Sequence, residues 1–169
     1  MPDQKQRKID WQKEAEIRPS TEVEAKKLKE LIVTAYTPIK AILGRKPRGM
    51  LETEEEILER IRKRSIFSVY YKNRLVGTFT IQFNDEFDLI EISKVAVIAE
   101  LQNKGLGTYL MDTAEQMVRE RGERKVMIET YDDHKRLVNF YKHMGYQTFH
   151  SKVNKGNLVL MMEKELYSR

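Results

Sequence analysis

Apolar and polar positions alternate along the chain with two periods, and the points where the period changes mark the elements. A short alternation around Ala15 and Ile17 ends at Pro19 and reads as a first strand. Ser20 and Thr21 then open a helix, because Thr21 and Glu24 stand at capping-box spacing. Leu28, Leu31, Ile32 and Ala35 keep one face of it apolar until Pro38. A loop through Gly44, Pro47 and Gly49 is expected next. Thr53 and Glu56 form a second capping box, and the helix it begins has glutamates in its first turns and Arg60, Arg62, Lys63 and Arg64 in its last, the order a helix dipole favours.

From Ile66 the period falls to two. Phe67, Val69 and Tyr71 make one strand, Lys72-Asn73 a turn, and Gly77, Phe79, Ile81 and Phe83 one face of the next, which predicts an antiparallel hairpin. After an acidic loop at 84–88, the run 89–98 is mostly apolar on both sides, as a central strand covered on both faces requires. A helix over about 105–121 follows with Leu106, Leu110, Ala114 and Met117 inward, then a strand at 126–129. Leu137, Phe140, Tyr141 and Met144 lie on a last helix stopped by Gly145, and 146–150 with 158–162 read as a closing hairpin around 154–157. No internal repeat interrupts the series.

The 169 residues are 40% hydrophobic and 34% charged, which suits one globular domain over 14–169 behind a frayed tail at 1–13. The absence of cysteine excludes a disulfide framework, a thiolate zinc site and a cysteine nucleophile. The three histidines lack ligand-like spacing, so no metal is expected. No apolar run has the length of a signal-peptide core or of the roughly 20 residues that span a bilayer, so the expected location is the cytoplasm, away from membranes. The formal charge of +5 suits a phosphorylated ligand as well as a nucleic acid. Lys5, Arg7, Lys8 and Lys13 against Asp3 and Asp10 put part of that excess in the tail, which disfavours nucleic acid.

The segment that bears on chemistry is Gln102-Asn103-Lys104-Gly105-Leu106-Gly107, between the central strand and the long helix. A glycine turn at a helix N-terminus points backbone N–H groups outward and lets phosphate oxygens approach, with Lys104 at the rim. It lacks the third glycine and the βαβ context of a dinucleotide-binding fold.

Val95-Ala96-Val97 followed by Gln102, Gly105, Gly107 and an amphipathic helix resembles motif A of the GNAT superfamily of acyl-CoA N-acyltransferases. Asn139-Phe140-Tyr141-Lys142-His143-Met144-Gly145-Tyr146 resembles its second signature, in register, and the element order over about 14–165 agrees. The resemblance implies an α/β (α+β) fold: a mixed, mostly antiparallel seven-stranded sheet flanked by four helices, in which a bulge in strand four splays it from strand five and the pantetheine of acetyl-CoA lies in the gap. Val95, Ala96 and Val97 are then the backbone contacts, and Gln102, Asn103, Lys104, Gly105, Leu106, Gly107 and Thr108 the pyrophosphate cradle. His134 stands where the family usually has a CoA-binding asparagine, at the start of a helix for which Asp132 and Asp133 are expected caps, and Asn139 joins the cofactor-binding positions.

Acetyl transfer needs an amine without its proton, whereas an amine titrating at about 10 is charged at neutral pH. By the resemblance Glu91 is the first candidate base and Glu129 the second, and strand alternation groups Glu91 with Ser93, Val95 and Val97. Burial in an apolar strand is expected to raise the Glu91 pKa. Tyr141 matches the family tyrosine that protonates the departing CoA thiolate. For the acceptor, the cations Lys40, Arg45, Lys46 and Arg48 suggest an amine carrying carboxylate or phosphate, while Asp85, Glu86 and Asp88 suggest a polycation. Three functions follow in order: an N-acetyltransferase moving acetyl from acetyl-CoA to a primary amine of a small molecule or peptide by direct attack in a ternary complex, a catalytically silent acyl-CoA-binding sensor, and a nucleic-acid binder. A homodimer is compatible with all three.

Overall fold

The computed structural model describes residues 7–166, so the first six residues of the expected tail, and 167–169 of the expected domain, lie outside the described residues. Both capping boxes form. Thr21 N donates to Glu24 Oε1 at 2.8 Å, and Glu56 N donates to Thr53 Oγ1 at 3.1 Å. The first box leads through a single tight turn into α2 (Ala25–Ala35), and the second opens α5 (Glu54–Arg62).

The remaining helices are α1 (Trp11–Glu14), α3 (Thr37–Leu43), α4 (Arg48–Leu51), α6 (Leu106–Glu120) and α7 (Lys135–His143). The four expected helices correspond to α2, α5, α6 and α7, and three short ones add to them. Pro38 does not end the helical path, because it sits in the first turn of α3, where a missing N–H costs nothing. Gly44 ends α3 in the left-handed conformation at φ 72°. The expected loop therefore shrinks to 44–47, and Gly49 lies inside α4 against the Tyr36 ring, where a β-carbon would collide. Helix α1 reaches into the expected tail: Trp11 is buried, packs edge-on to Tyr71 at 5.2 Å, and donates from Nε1 to the Lys104 carbonyl at 2.8 Å.

The strands are β1 (Ala15–Pro19), β2 (Ile66–Tyr71), β3 (Arg74–Asn84), β4 (Leu89–Val97), β5 (Lys125–Tyr131), β6 (Gln147–Asn154) and β7 (Asn157–Glu165). They form one sheet in the order β1-β2-β3-β4-β5-β7-β6, antiparallel except for β4 beside β5. The largest apolar cluster joins Phe67, Phe79, Ile92 and Val126 of the sheet to Leu106 and Leu110 of α6 and Val138 of α7. Inside α6 the buried positions include Met111 and Val118, with Met117 only partly buried. On the opposite face Leu28, Ile57, Ile61 and Ile66 join α2 and α5 to the sheet, and Leu31, Ile32 and Ala96 continue that layer.

Two irregularities place the site. Thr78 pairs with Ala96 and Thr80 with Ser93, so Lys94 and Val95 together oppose Phe79, a bulge in which Lys94 takes φ 51°. The extra residue reverses the alternation. Val95 and Val97 consequently pack with Ile90 and Ile92, whereas Glu91 and Ser93 face the other side of β4, which corrects the grouping expected from plain alternation. Strands β4 and β5 pair only at Ile90 with Val126 and Glu91 with Met127, and beyond that they part. Among the described residues, no helix is long and apolar enough to cross a membrane.

Candidate active site

The parting of β4 and β5 opens into a cleft of about 1470 Å³, walled by α3 and α4 on one side and by the N-terminal end of α7 and the β6–β7 hairpin on the other. Past the bulge, the main chain of β4 has no ladder partner in β5. The Val95 carbonyl accepts a long bond from Tyr36 Oη at 3.4 Å, and Gln102 Nε2 donates to the Val97 carbonyl at 3.0 Å. Ser93 Oγ and Thr130 Oγ1, on the two facing strands, line the cleft and are buried without a hydrogen-bond partner among the described residues.

At one end lies the glycine turn. Asn103 (φ 61°) and Gly105 (φ 82°) take left-handed conformations, and Gly105 precedes the first residue of α6. Gln102, Asn103 and Gly107 line the cleft, and Asn103 Oδ1 accepts from the Arg136 guanidinium of α7. Lys104, Gly105, Leu106 and Thr108 do not: the Lys104 carbonyl is held by Trp11, Leu106 is fully in the core, and Thr108 is exposed. Val95 and Val97 line the cleft, whereas Ala96 is buried against α2.

The carboxylates lie on the strands. Glu91 is 8% exposed and accepts from Asn84 Nδ2 at 3.1 Å. Its pKa is pushed up to about 6, first by burial and then by the negative charge of Glu129, against the lowering effects of the Asn84 hydrogen bond, Lys94 and Arg48. Glu129, half-buried on β5, lines the same cleft. Tyr141 comes from α7, 7% exposed, with Tyr146 edge-on at 5.7 Å. Burial pushes its phenol up to about 12, so it stays protonated.

His134 is itself the cap of α7, with Nδ1 accepting from Leu137 N at 3.2 Å. Asp132 and Asp133, the expected caps, instead hold Lys135 and Asn157. An imidazole accepting at Nδ1 carries its proton on Nε2, and burial lowers its pKa. His134 lines the cleft; Asn139 is exposed and does not.

Reading the sequence misses Tyr36 and Glu52. Tyr36 falls in a helix-to-loop passage with nothing to mark its hydroxyl. Glu52, 6% exposed, binds the Arg60 guanidinium and Lys94 Nζ, the latter at 2.8 Å, and Arg60 also reaches Thr80 Oγ1. The run of charges around the second capping box conceals that cluster.

Residues 26–146 match the acetyltransferase (GNAT) family. An uncharacterized N-acetyltransferase of Chlorobaculum tepidum is 36% identical over 93 residues, a match spanning about half of each chain, 55% in both cases. The fold is similar to that of PaiA N-acetyltransferase from Thermoplasma acidophilum, solved in complex with coenzyme A, with a TM-score of 0.74 at 17% identity over 90% of this chain and 99% of that one. It is also similar to yncA from Salmonella typhimurium, solved with its cofactor acetyl-CoA, with a TM-score of 0.70 at 16% identity over 92% of this chain and 95% of that one. With a bulged strand, a parted strand pair and a glycine turn in one cleft, and a family match covering most of its length, the chain belongs to the GNAT family of acetyltransferases.

Proposed function

We propose that the protein transfers an acetyl group from acetyl-CoA to a primary amine by direct attack in a ternary complex. The observation that carries this reading is that the β4–β5 gap brings Glu91 and Tyr141, a poised base and a protonated phenol, into one cleft. The gap suits pantetheine: unladdered main chain past the bulge and the unpartnered hydroxyls of Ser93 and Thr130 match a ligand with two amides. Gln102, Asn103 and Gly107 at the start of α6 suit the pyrophosphate, with Arg136 above them, and the Nε2–H of His134 is a further donor.

In this mechanism Glu91 takes a proton from the bound ammonium, directly or through water, with Glu129 as the second candidate. The nitrogen lone pair then attacks the thioester carbonyl. Glu91 passes that first proton on to solvent; as the C–N bond forms and the C–S bond breaks, the nitrogen's surplus proton goes to the departing CoA sulfur, which leaves as the thiol. A Glu91 titrating near 6 is ionised at neutral pH yet more basic than an ordinary carboxylate. Full proton transfer from a phenol near 12 to a thiolate whose acid titrates near about 8.5 is uphill, so Tyr141 acts chiefly by donating a hydrogen bond to the departing sulfur. Such an activity belongs with a cytoplasmic pool of acetyl-CoA.

The test is a calorimetric titration with acetyl-CoA followed by thiol release across a panel of amines. Intersecting double-reciprocal lines support direct attack, and parallel lines refute it. Binding without release for any amine leaves the sensor reading in its place.

A further inference from the structure

We propose that the acceptor is a small amino-acid-like molecule, a primary amine beside a carboxylate with an apolar side chain, held between the 44–48 segment and the β6–β7 hairpin with its carboxylate on Arg48. The proposal rests on the acetyltransferase reading and adds the acceptor class.

The first support is an apolar wall. Of the six large exposed hydrophobic residues among the described residues, three line this cleft: Ile42 at 48%, Leu51 at 50% and Val153 at 70%. They come from α3, α4 and β6. Exposed apolar side chains gathered from three elements around a binding cleft fit a ligand with an apolar body.

The second support is the pairing of charges. Glu52 is engaged by Arg60 and Lys94, Glu56 by its capping box with Thr53, and Glu86 by Lys152. Glu91 and Glu129 have no ion-pair partner among the described residues and form the pole for the amine. Of the cations, Lys94, Lys135 and Lys152 are ion-paired and Arg136 is bonded to Asn103. Lys155, in the turn between β6 and β7, also lines the cleft without an ion-pair partner among the described residues, but the cations whose charge is felt at Glu91 are Lys94 and Arg48. Arg48 has no ion-pair partner among the described residues, lines the cleft, and its charge is felt at Glu91. One uncommitted guanidinium within electrostatic reach of a carboxylate pair suits a zwitterion, and a guanidinium binds a carboxylate through two parallel hydrogen bonds.

The third support concerns size. Arg45 joins the two walls: Nε donates to Asn157 Oδ1 and an Nη to the Asn154 carbonyl, both at 2.8 Å, and the guanidinium lies 5.7 Å from the Tyr131 ring centre. Asn157 is anchored in turn on Asp133 at 2.8 Å. A polypeptide threaded between these walls has to break that tie, and a free amino acid does not.

The experiment compares leucine, leucinamide, isopentylamine, spermidine and a lysine-containing peptide as acceptors for the native protein and Arg48→Gln, reading thiol release and product mass. Leucine is expected to exceed isopentylamine in kcat/KM by about 10-fold or more, the worth of a charge-assisted hydrogen bond. Arg48→Gln is expected to lower kcat/KM for leucine, through KM, about 10-fold more than for isopentylamine. Preference for spermidine, the peptide or the amines without a carboxylate, or an equal fall for leucine and isopentylamine, overturns the proposal and leaves acetyl transfer standing. No thiol release with any acceptor overturns both.

Discussion

Lys94 Nζ lies 2.8 Å from Glu52 Oε2, and the contact ties the kinked residue of β4 to the segment before α5. The same carboxylate binds Arg60, which reaches Thr80, next to the residue that faces the bulge, so one buried acid touches both strands at the irregularity that opens the cleft. Glu52→Ala leaves Arg60 buried without its counter-charge, and a loss of about 3–5 kcal/mol is expected in urea unfolding. A loss under about 1 kcal/mol refutes the bracing role.

Glu91 sets opposite directions for stability and activity. Its pKa is raised on folding, so the native state holds the proton more tightly than the unfolded chain between about 4.5 and 6. The associated stability is present below that window and is lost as pH rises through it. Glu91→Gln is therefore expected to unfold at equal or higher urea than the native protein at pH 7, by up to about 2 kcal/mol, while kcat falls about 100-fold or more. The native kcat/KM is expected to rise with pH to a plateau above about 6, and this acid limb disappears in the variant. A retained limb moves the base to Glu129.

Tyr141→Phe keeps the ring packed against Tyr146 and removes only the hydroxyl. A fall in kcat of about 10-fold or more is expected with the calorimetric Kd for acetyl-CoA within about twofold of native. Equal losses in Kd and kcat assign the phenol to binding instead.

The glycine turn offers a separation of fold from ligand. A β-carbon on Gly107 meets nothing within 4 Å, so Gly107→Ala is expected to keep or raise Tm, since alanine favours a helix by about 1 kcal/mol over glycine. Its acetyl-CoA Kd is expected to rise about 10-fold if phosphate oxygens approach the main chain there. Gly105→Ala differs, because φ of 82° strains any side chain, and it is expected to lower Tm as well. An unchanged Kd in Gly107→Ala removes that residue from the cradle.

What the letters disclose follows from how local each feature is. Both capping boxes and the glycine turn are written within a few residues, and all three are legible. The bulge in the fourth strand is expected only through the family resemblance, because Lys94 takes its left-handed φ without being a glycine, and only the register with β3 gives its position. Plain alternation, which leaves out the extra residue, reverses the facing of Val95 and Val97 relative to Glu91. The Arg45 tie spans more than a hundred residues of sequence, and Glu52 with Arg60 reads as ordinary solvated charge until the fold buries both. The roles proposed for Glu91 and Tyr141 rest on the resemblance, since a buried glutamate and a helical tyrosine have no signature of their own.

The bond from Trp11 to the Lys104 carbonyl gives the molecule an optical probe of its own. The chain has a single tryptophan, and its indole nitrogen touches the backbone of the turn at the start of α6. Emission from that one fluorophore is therefore sensitive to any tightening of the turn, and a titration can be followed by light alone, with no label attached.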